Sequence, residues 1–223
     1  MTTALVLLSA LMAVICVWLF RHTINVAPWQ ESRPSDVAHG NGELSMPPVQ
    51  VGLVVFMAVA TSLFALFVSA YYMRMVEADW TNFPLPRVLW INSTLLVFAS
   101  VAMQMTRTAA RRGNLDGIRT GLLASGAFSF AFLGGQVFAW RQLAAAGEYS
   151  PANPAYAFFL LLTAVHGLHL LGGMWVLGRA TVRVVRRIDL NKVRLSVELC
   201  TMYWHYLLLV WAALFFVLLS THR

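Results

Sequence analysis

The chain has 223 residues, of which 59% are hydrophobic and only 11% charged, with a formal net charge of +7. Soluble domains carry roughly 25% charged residues, so this composition excludes an ordinary soluble protein and leaves no soluble domain of useful size. The Lys and Arg residues are spread over the connecting segments rather than gathered into one module, so the cationic balance points to membrane topology and anionic headgroups instead of a nucleic-acid groove.

A bilayer core about 30 Å thick takes about 20 apolar residues per helix. Six stretches meet that length, near residues 3–20, 50–73, 88–106, 120–140, 155–178 and 197–220. The expected fold is all-α, a polytopic membrane bundle of about six transmembrane helices. It divides into an N-terminal transmembrane helix (1–22), a cytoplasmic linker (23–48) and a five-helix bundle (49–223). Connections one, three and five hold 12 of the 16 Lys and Arg residues. The positive-inside rule then places those connections in the cytoplasm and both termini outside.

The first stretch, TTALVLLSALMAVICVWLF, lacks the positive n-region of a signal peptide and reads as a retained span. The linker that follows is rich in Pro, Gly, Ser and Asn. Span two places Thr61, Ala65 and Ser69 at four-residue steps, and span four does the same with Ala127, Ala131, Gly135 and Ala139. Such stripes are expected to be packing faces, because close backbone approach replaces the absent hydrophobic drive between helices in lipid. In EADWTNFPLPR, Trp80 suits the headgroup level and the prolines suit a helix start. Cys16 and Cys200 have neither disulfide-framework nor metal-type spacing.

Span five carries HGLHLLGGMW, with His166 and His169 on nearly the same helix face. Two nitrogens do not complete a metal site: zinc takes three or four ligands, and a bis-histidine haem needs ligands on opposite faces. The only other histidine at membrane depth is His205 in span six. Inter-helix hydrogen bonding is therefore the expected role of these imidazoles, with a small b-type cytochrome ligated by His166 or His169 and His205 as the alternative. Glu198 lies seven residues before His205, two turns away on one face. It either extends a polar seam towards the span-five histidines or supplies negative charge to the first turn of the last helix. Asp, Glu, Lys and Arg are otherwise absent from the central part of every span, which speaks against a self-sufficient pump or transporter. After span five, Arg179, Arg183, Arg186 and Arg187 form a positive-inside signal and are candidates for phospholipid headgroups.

Four segments together resemble subunit III of the haem-copper oxidases, the cytochrome c oxidases and their quinol-oxidising relatives. LLTAVHGLHLLGGMWVL is similar to the family's T-x-x-H-G-x-H-x-x-x-G segment, and ELCTMYWHYLLLVW to its E-x₆-H segment with Y-W-H. PLPRVLWINSTLLVFAS resembles the Pro-rich entry and L-N-T start of a helix, and GGQVFAWRQLAAAG the F-x-x-Q turn. The resemblance implies an accessory subunit with no catalytic, cofactor-binding or metal-binding residues of its own. It would pack beside catalytic subunit I, which carries haem and copper, and subunit II, in a bacterial inner membrane rather than the mitochondrial one. There it would stabilise the catalytic chain and support proton uptake, oxygen access and lipid binding. A nitric-oxide-reductase-type complex is the other assembly that would fit. His166, Gly167, His169, Glu198, Tyr203, Trp204 and His205 match the motifs and would take structural or lipid-contacting roles. The chain departs from the family at three carboxylates, having Ala60 or Thr61, Ala139 and Leu208 in their places.

Overall fold

A computed structural model describes residues 48–81, 83–146, 153–185 and 190–221, without the side chains of 183, 185 and 190–192. The helix expected over 1–22 and all of the linker except residue 48 lie outside the described residues. All regular structure among the described residues is helical: α1 (Pro48–Arg74), α2 (Val88–Arg111), α3 (Leu115–Ala145), α4 (Pro154–Val185) and α5 (Leu190–Thr221). Each is long and apolar enough to cross a membrane. Pro48, assigned to the linker from sequence, instead opens α1, where its missing N–H costs no helical bond.

The chain falls into two compact units divided between Ser69 and Ala70. The described part of the first is α1 from 48 to 69, in which Thr61 Oγ1 donates to the Met57 carbonyl at 2.8 Å and Ser62 Oγ to that of Ala58 at 3.1 Å. Hydroxyls bonded to their own helix in this way present little free polarity to hydrocarbon.

In the second unit α2 packs on α3, α3 on α4, α4 on α5 and α5 back on α2, a ring of four helices with consecutive members antiparallel. One spacing rule runs through all four. The buried positions of α3 are Ile118, Leu122, Ser125, Ser129, Phe132, Gln136, Ala139 and Leu143, alternating steps of four and three. On α4 the buried run from Phe159 through Thr163, His166, Leu170, Leu177 and Ala180 to Val184 keeps the same rhythm, and so does α5 from Val193 through Val197, Cys200, Trp204, Leu207, Trp211 and Leu214 to Leu218. Alternating steps average 3.5 residues and hold one face towards the neighbours, the geometry of knobs-into-holes bundles.

Of the stripe expected on span four, two members pack within this chain. Steps of four advance 400°, so each residue drifts 40° around the helix. Ala127 and Ala131 are exposed, Gly135 is half-buried, and only Ala139 reaches the seam. Close approach is made at Gly135, a member of the stripe, and at Gly121, outside it. A Cβ at Gly121 would lie 2.0 Å from Thr106 Oγ1, and one at Gly135 2.0 Å from Asn92 Oδ1. These pairs, with Phe98 against Phe128 at 5.7 Å, fix the antiparallel register of α2 and α3.

Arg112–Asn114 turns the chain between those two helices. Gly113 adopts φ 70°, a conformation open to glycine without penalty. The Asn114 N–H donates to the Ala109 carbonyl at 3.0 Å and that of Gly113 to Ala110 at 3.3 Å, the paired bonds of a Schellman motif. Asn114 then caps α3, its Oδ1 accepting from the Gly117 N–H at 3.1 Å.

Candidate functional site

Most of the side-chain hydrogen bonds that cross between the described helices end on α5. At its N-terminal end, Oε1 of Glu198 accepts from Nη2 of both Arg107 and Arg111, each at 3.2 Å. The arginines stand four apart on α2 and so share a face. One carboxylate between two guanidiniums leaves this end of the bundle cationic. All three side chains are more than a third exposed, so each pair contributes at most about 1 kcal/mol. Glu198 is therefore not a first-turn residue: α5 begins at Leu190, and its first turn holds no acidic group.

One turn further, Thr201 Oγ1 bonds the Val197 carbonyl of its own helix at 2.8 Å and the Met103 carbonyl of α2 at 3.3 Å. His205 follows, with Nε2 3.2 Å from Gln104 Oε1 and Nδ1 against the Ser100 hydroxyl. An amide oxygen only accepts, so Nε2 carries the proton and Ser100 donates to Nδ1. Both nitrogens of His205 are thereby engaged. Glu198 and His205 do share a face, but that face turns to α2 rather than to the histidines of α4.

Other α5 groups reach the remaining helices. Tyr203 donates to the His169 carbonyl of α4 at 3.0 Å, across Gly173, where a Cβ would meet the tyrosine ring at 2.7 Å. Trp204 Nε1 donates to Ser129 Oγ of α3 at 3.1 Å, and Trp211 Nε1 to Ser93 Oγ of α2 at 3.0 Å.

His166 and His169 have different surroundings despite their spacing. His166 occupies a seam position and is fully buried. Its ring packs 5.8 Å from that of Phe132 on α3 and 5.2 Å from that of Trp211 on α5. His169 is half-buried, with Nδ1 2.8 Å from the Val165 carbonyl one turn back. Among the described residues no group of three or more His, Cys, Asp or Glu side chains is placed to hold a metal ion.

Several participants were not singled out from the sequence. Asn92 Nδ2 donates to Gln136 Oε1 at 3.2 Å in the α2–α3 seam, where both residues are buried. Asn92 Oδ1 and Gln136 Nε2 find no protein partner among the described residues. Ser93, Ser100, Gln104, Arg107, Arg111 and Ser129 complete the α5 bonds. The alternating three-and-four spacing would have marked Asn92, Gln136 and Ser129 as inward-facing; nothing in the sequence pairs them.

Of the positions where the resemblance expects carboxylates, Ala60 is buried and its alternative Thr61 half-buried, Ala139 is buried and Leu208 half-buried. Arg179 is exposed on α4, and the side chain of Arg183 together with Arg186 and Arg187 lies outside the described residues. Past the end of α1, Nη1 of Arg74 donates to Oδ1 of Asp79 at 2.7 Å. That bond holds the Asp79 carboxyl below the usual carboxylate range.

A family model described as cytochrome c oxidase subunit III matches residues 2–221. The chain belongs to that family. The match takes in the first apolar stretch, for which the quoted motifs offered no counterpart. Among its relatives, a probable cytochrome c oxidase subunit 3 of Mycobacterium tuberculosis (strain H37Rv) is 28% identical over 179 residues, covering 76% of this chain and 86% of the relative. The cytochrome c oxidase subunit 3 of Synechocystis sp. is 26% identical over 184 residues, 79% of this chain and 76% of the relative. This subunit III chain is an integral membrane protein whose polar side chains tie its own helices together.

Proposed function

We propose that this chain is a non-catalytic integral subunit of a respiratory haem-copper oxidase. It packs beside catalytic subunit I, which holds the haem and copper, with subunit II in the same complex. Its work is to stabilise the catalytic chain and to support proton uptake, oxygen access and lipid binding during aerobic electron transport. It sits in the bacterial cell membrane with both termini outside the cytoplasm and the Arg107, Arg111 and Glu198 end inside. Phospholipids meet it at Arg179, Arg183, Arg186 and Arg187. His166, His169, Glu198, Tyr203, Trp204 and His205 serve as links between helices.

The family match over residues 2–221 carries this reading. The bonding of His205 agrees with it, since iron ligation through that ring would require breaking a bond to Ser100 or Gln104. The test is purification of the tagged chain from its native membrane in mild detergent. The expected result is co-purification with a larger haem-containing polypeptide, identified by mass spectrometry, and no Soret band once that partner is removed. A stoichiometric haem spectrum in the separated chain would overturn the assignment.

A further inference from the structure

Gln104, Arg107 and Arg111 follow one another along α2 at i, i+3 and i+7, so they share a face over about 10 Å. Their polar ends are almost all donors. Oε1 of Gln104 is already taken by His205, which leaves the amide N–H groups of an exposed residue within a membrane span. Arg107 and Arg111 share a single carboxylate oxygen, and two guanidiniums carry ten N–H donors between them. Arg112, Arg119 and Arg194 are exposed near this end of the bundle, with Asp116 and Glu198 the only nearby acids among the described residues. Above Gln104 the same side of α2 becomes exposed and apolar, with Val101 50% and Val97 44% exposed.

We propose that this face of α2 and α5 binds one anionic glycerophospholipid, with its phosphate on Arg107 and Arg111, an ester carbonyl on the Gln104 amide and an acyl chain along Val101 and Val97. Bare hydrocarbon opposite Gln104 would leave its donors unsatisfied, which is unfavourable in an apolar surrounding. A phospholipid offers acceptors in the required order, negative at the surface and neutral one helical turn deeper. The depth of Gln104 selects a lipid over free phosphate, and the donor-only edge selects an acceptor-bearing headgroup over a cationic one. This site is separate from the arginines after α4 and does not depend on the oxidase assignment.

The experiment uses the full-length chain in its purified complex, transferred to nanodiscs of phosphatidylcholine with a small fraction of spin-labelled phosphatidylglycerol. The immobilised fraction is read by electron paramagnetic resonance. Arg111→Gln keeps the Arg107–Glu198 pair and should weaken retention about fivefold, the value of one basic group at an anionic surface. Gln104→Leu changes an exposed position and should weaken it a further few-fold, the worth of one hydrogen bond. Inorganic phosphate at millimolar concentration should displace nothing. The proposal fails if neither variant changes retention, or if free phosphate competes. Loss on Arg111→Gln alone would also overturn it, because that pattern is headgroup attraction without a seated lipid. So would a map of the complex showing a polypeptide across this face.

Discussion

Gly121→Ala tests the close packing of α2 against α3. The new Cβ would lie 2.0 Å from Thr106 Oγ1, 3.1 Å from its Cβ and 3.3 Å from its Cα. Thr106 cannot simply swing away: it is fully buried, and its hydroxyl is bonded at 2.7 Å to the Ala102 carbonyl. Turning χ1 would move the hydroxyl but not the Thr106 Cβ and Cα, which stay 3.1 Å and 3.3 Å from the new Cβ. The helices must therefore separate locally, and overpacking of this kind costs about 1–3 kcal/mol. Alanine recovers up to about 1 kcal/mol through its better helix propensity. The net loss centres on about 1 kcal/mol, a factor of roughly 5 in the folded ratio. Gly134→Ala is the matched control, since a Cβ there meets nothing within 4 Å and only the propensity gain applies. Thermal unfolding in mild detergent should rank Gly134→Ala at or above the parent and Gly121→Ala below it. Adding Thr106→Ala removes the 2.0 Å clash and should recover part of the loss. Equal shifts for the two glycine variants would refute the packing argument.

Ser129→Ala leaves the buried indole N–H of Trp204 without its acceptor and should cost about 1 kcal/mol, near the 0.6 kcal/mol average for bilayer hydrogen bonds; a lowered unfolding midpoint together with a shifted indole N–H band in resonance Raman spectra would show it. Gly173→Ala pushes on the Tyr203 ring and should break its bond to the His169 carbonyl, visible as a tyrosine shift in ultraviolet difference spectra that Gly172→Ala does not produce. Glu198→Gln should lower stability by no more than about 1 kcal/mol, because the arginines it leaves are partly exposed and reach water, and the loss should shrink in high salt. Asp79, whose carboxyl is held low by Arg74, contributes stability that is present above the usual Asp value of about 3.9 and is lost as pH falls through its depressed folded value. The stability difference between Asp79→Asn and the parent should accordingly be flat from pH 7 to pH 5 and vanish only in stronger acid.

Hydropathy located the five described spans, yet every helix runs past the apolar stretch that announced it. Span three reads as 88–106 and α2 continues to Arg111; span four reads as 120–140 and α3 runs from Leu115 to Ala145. Apolar length reports the thickness of the bilayer, whereas a helix ends where a cap or a turn stops it, here at Gly113 and Asn114. The candidate site was legible as a set of residue types, since an imidazole, an indole or a carboxylate in a span has to be accommodated somewhere. Their partners were not. The i, i+7 relation of Glu198 and His205 correctly set one face, but nothing in the spacing of α5 says that this face meets α2, 87 to 105 residues earlier. The four-residue stripe was half legible for a simpler reason: Gly135 and Ala139 pack on neighbours, while the 40° drift per step carries Ala127 and Ala131 out of the seam.

The turn at residues 112–114 bears on how the molecule is made. Because it satisfies its own carbonyls and caps the helix that follows, α2 and α3 close on each other through contacts near in sequence, the kind that form fastest. A nascent hairpin can thus enter the bilayer already paired, its two buried amides shielded from lipid. α4 and α5, synthesised later, then have a finished edge to assemble upon.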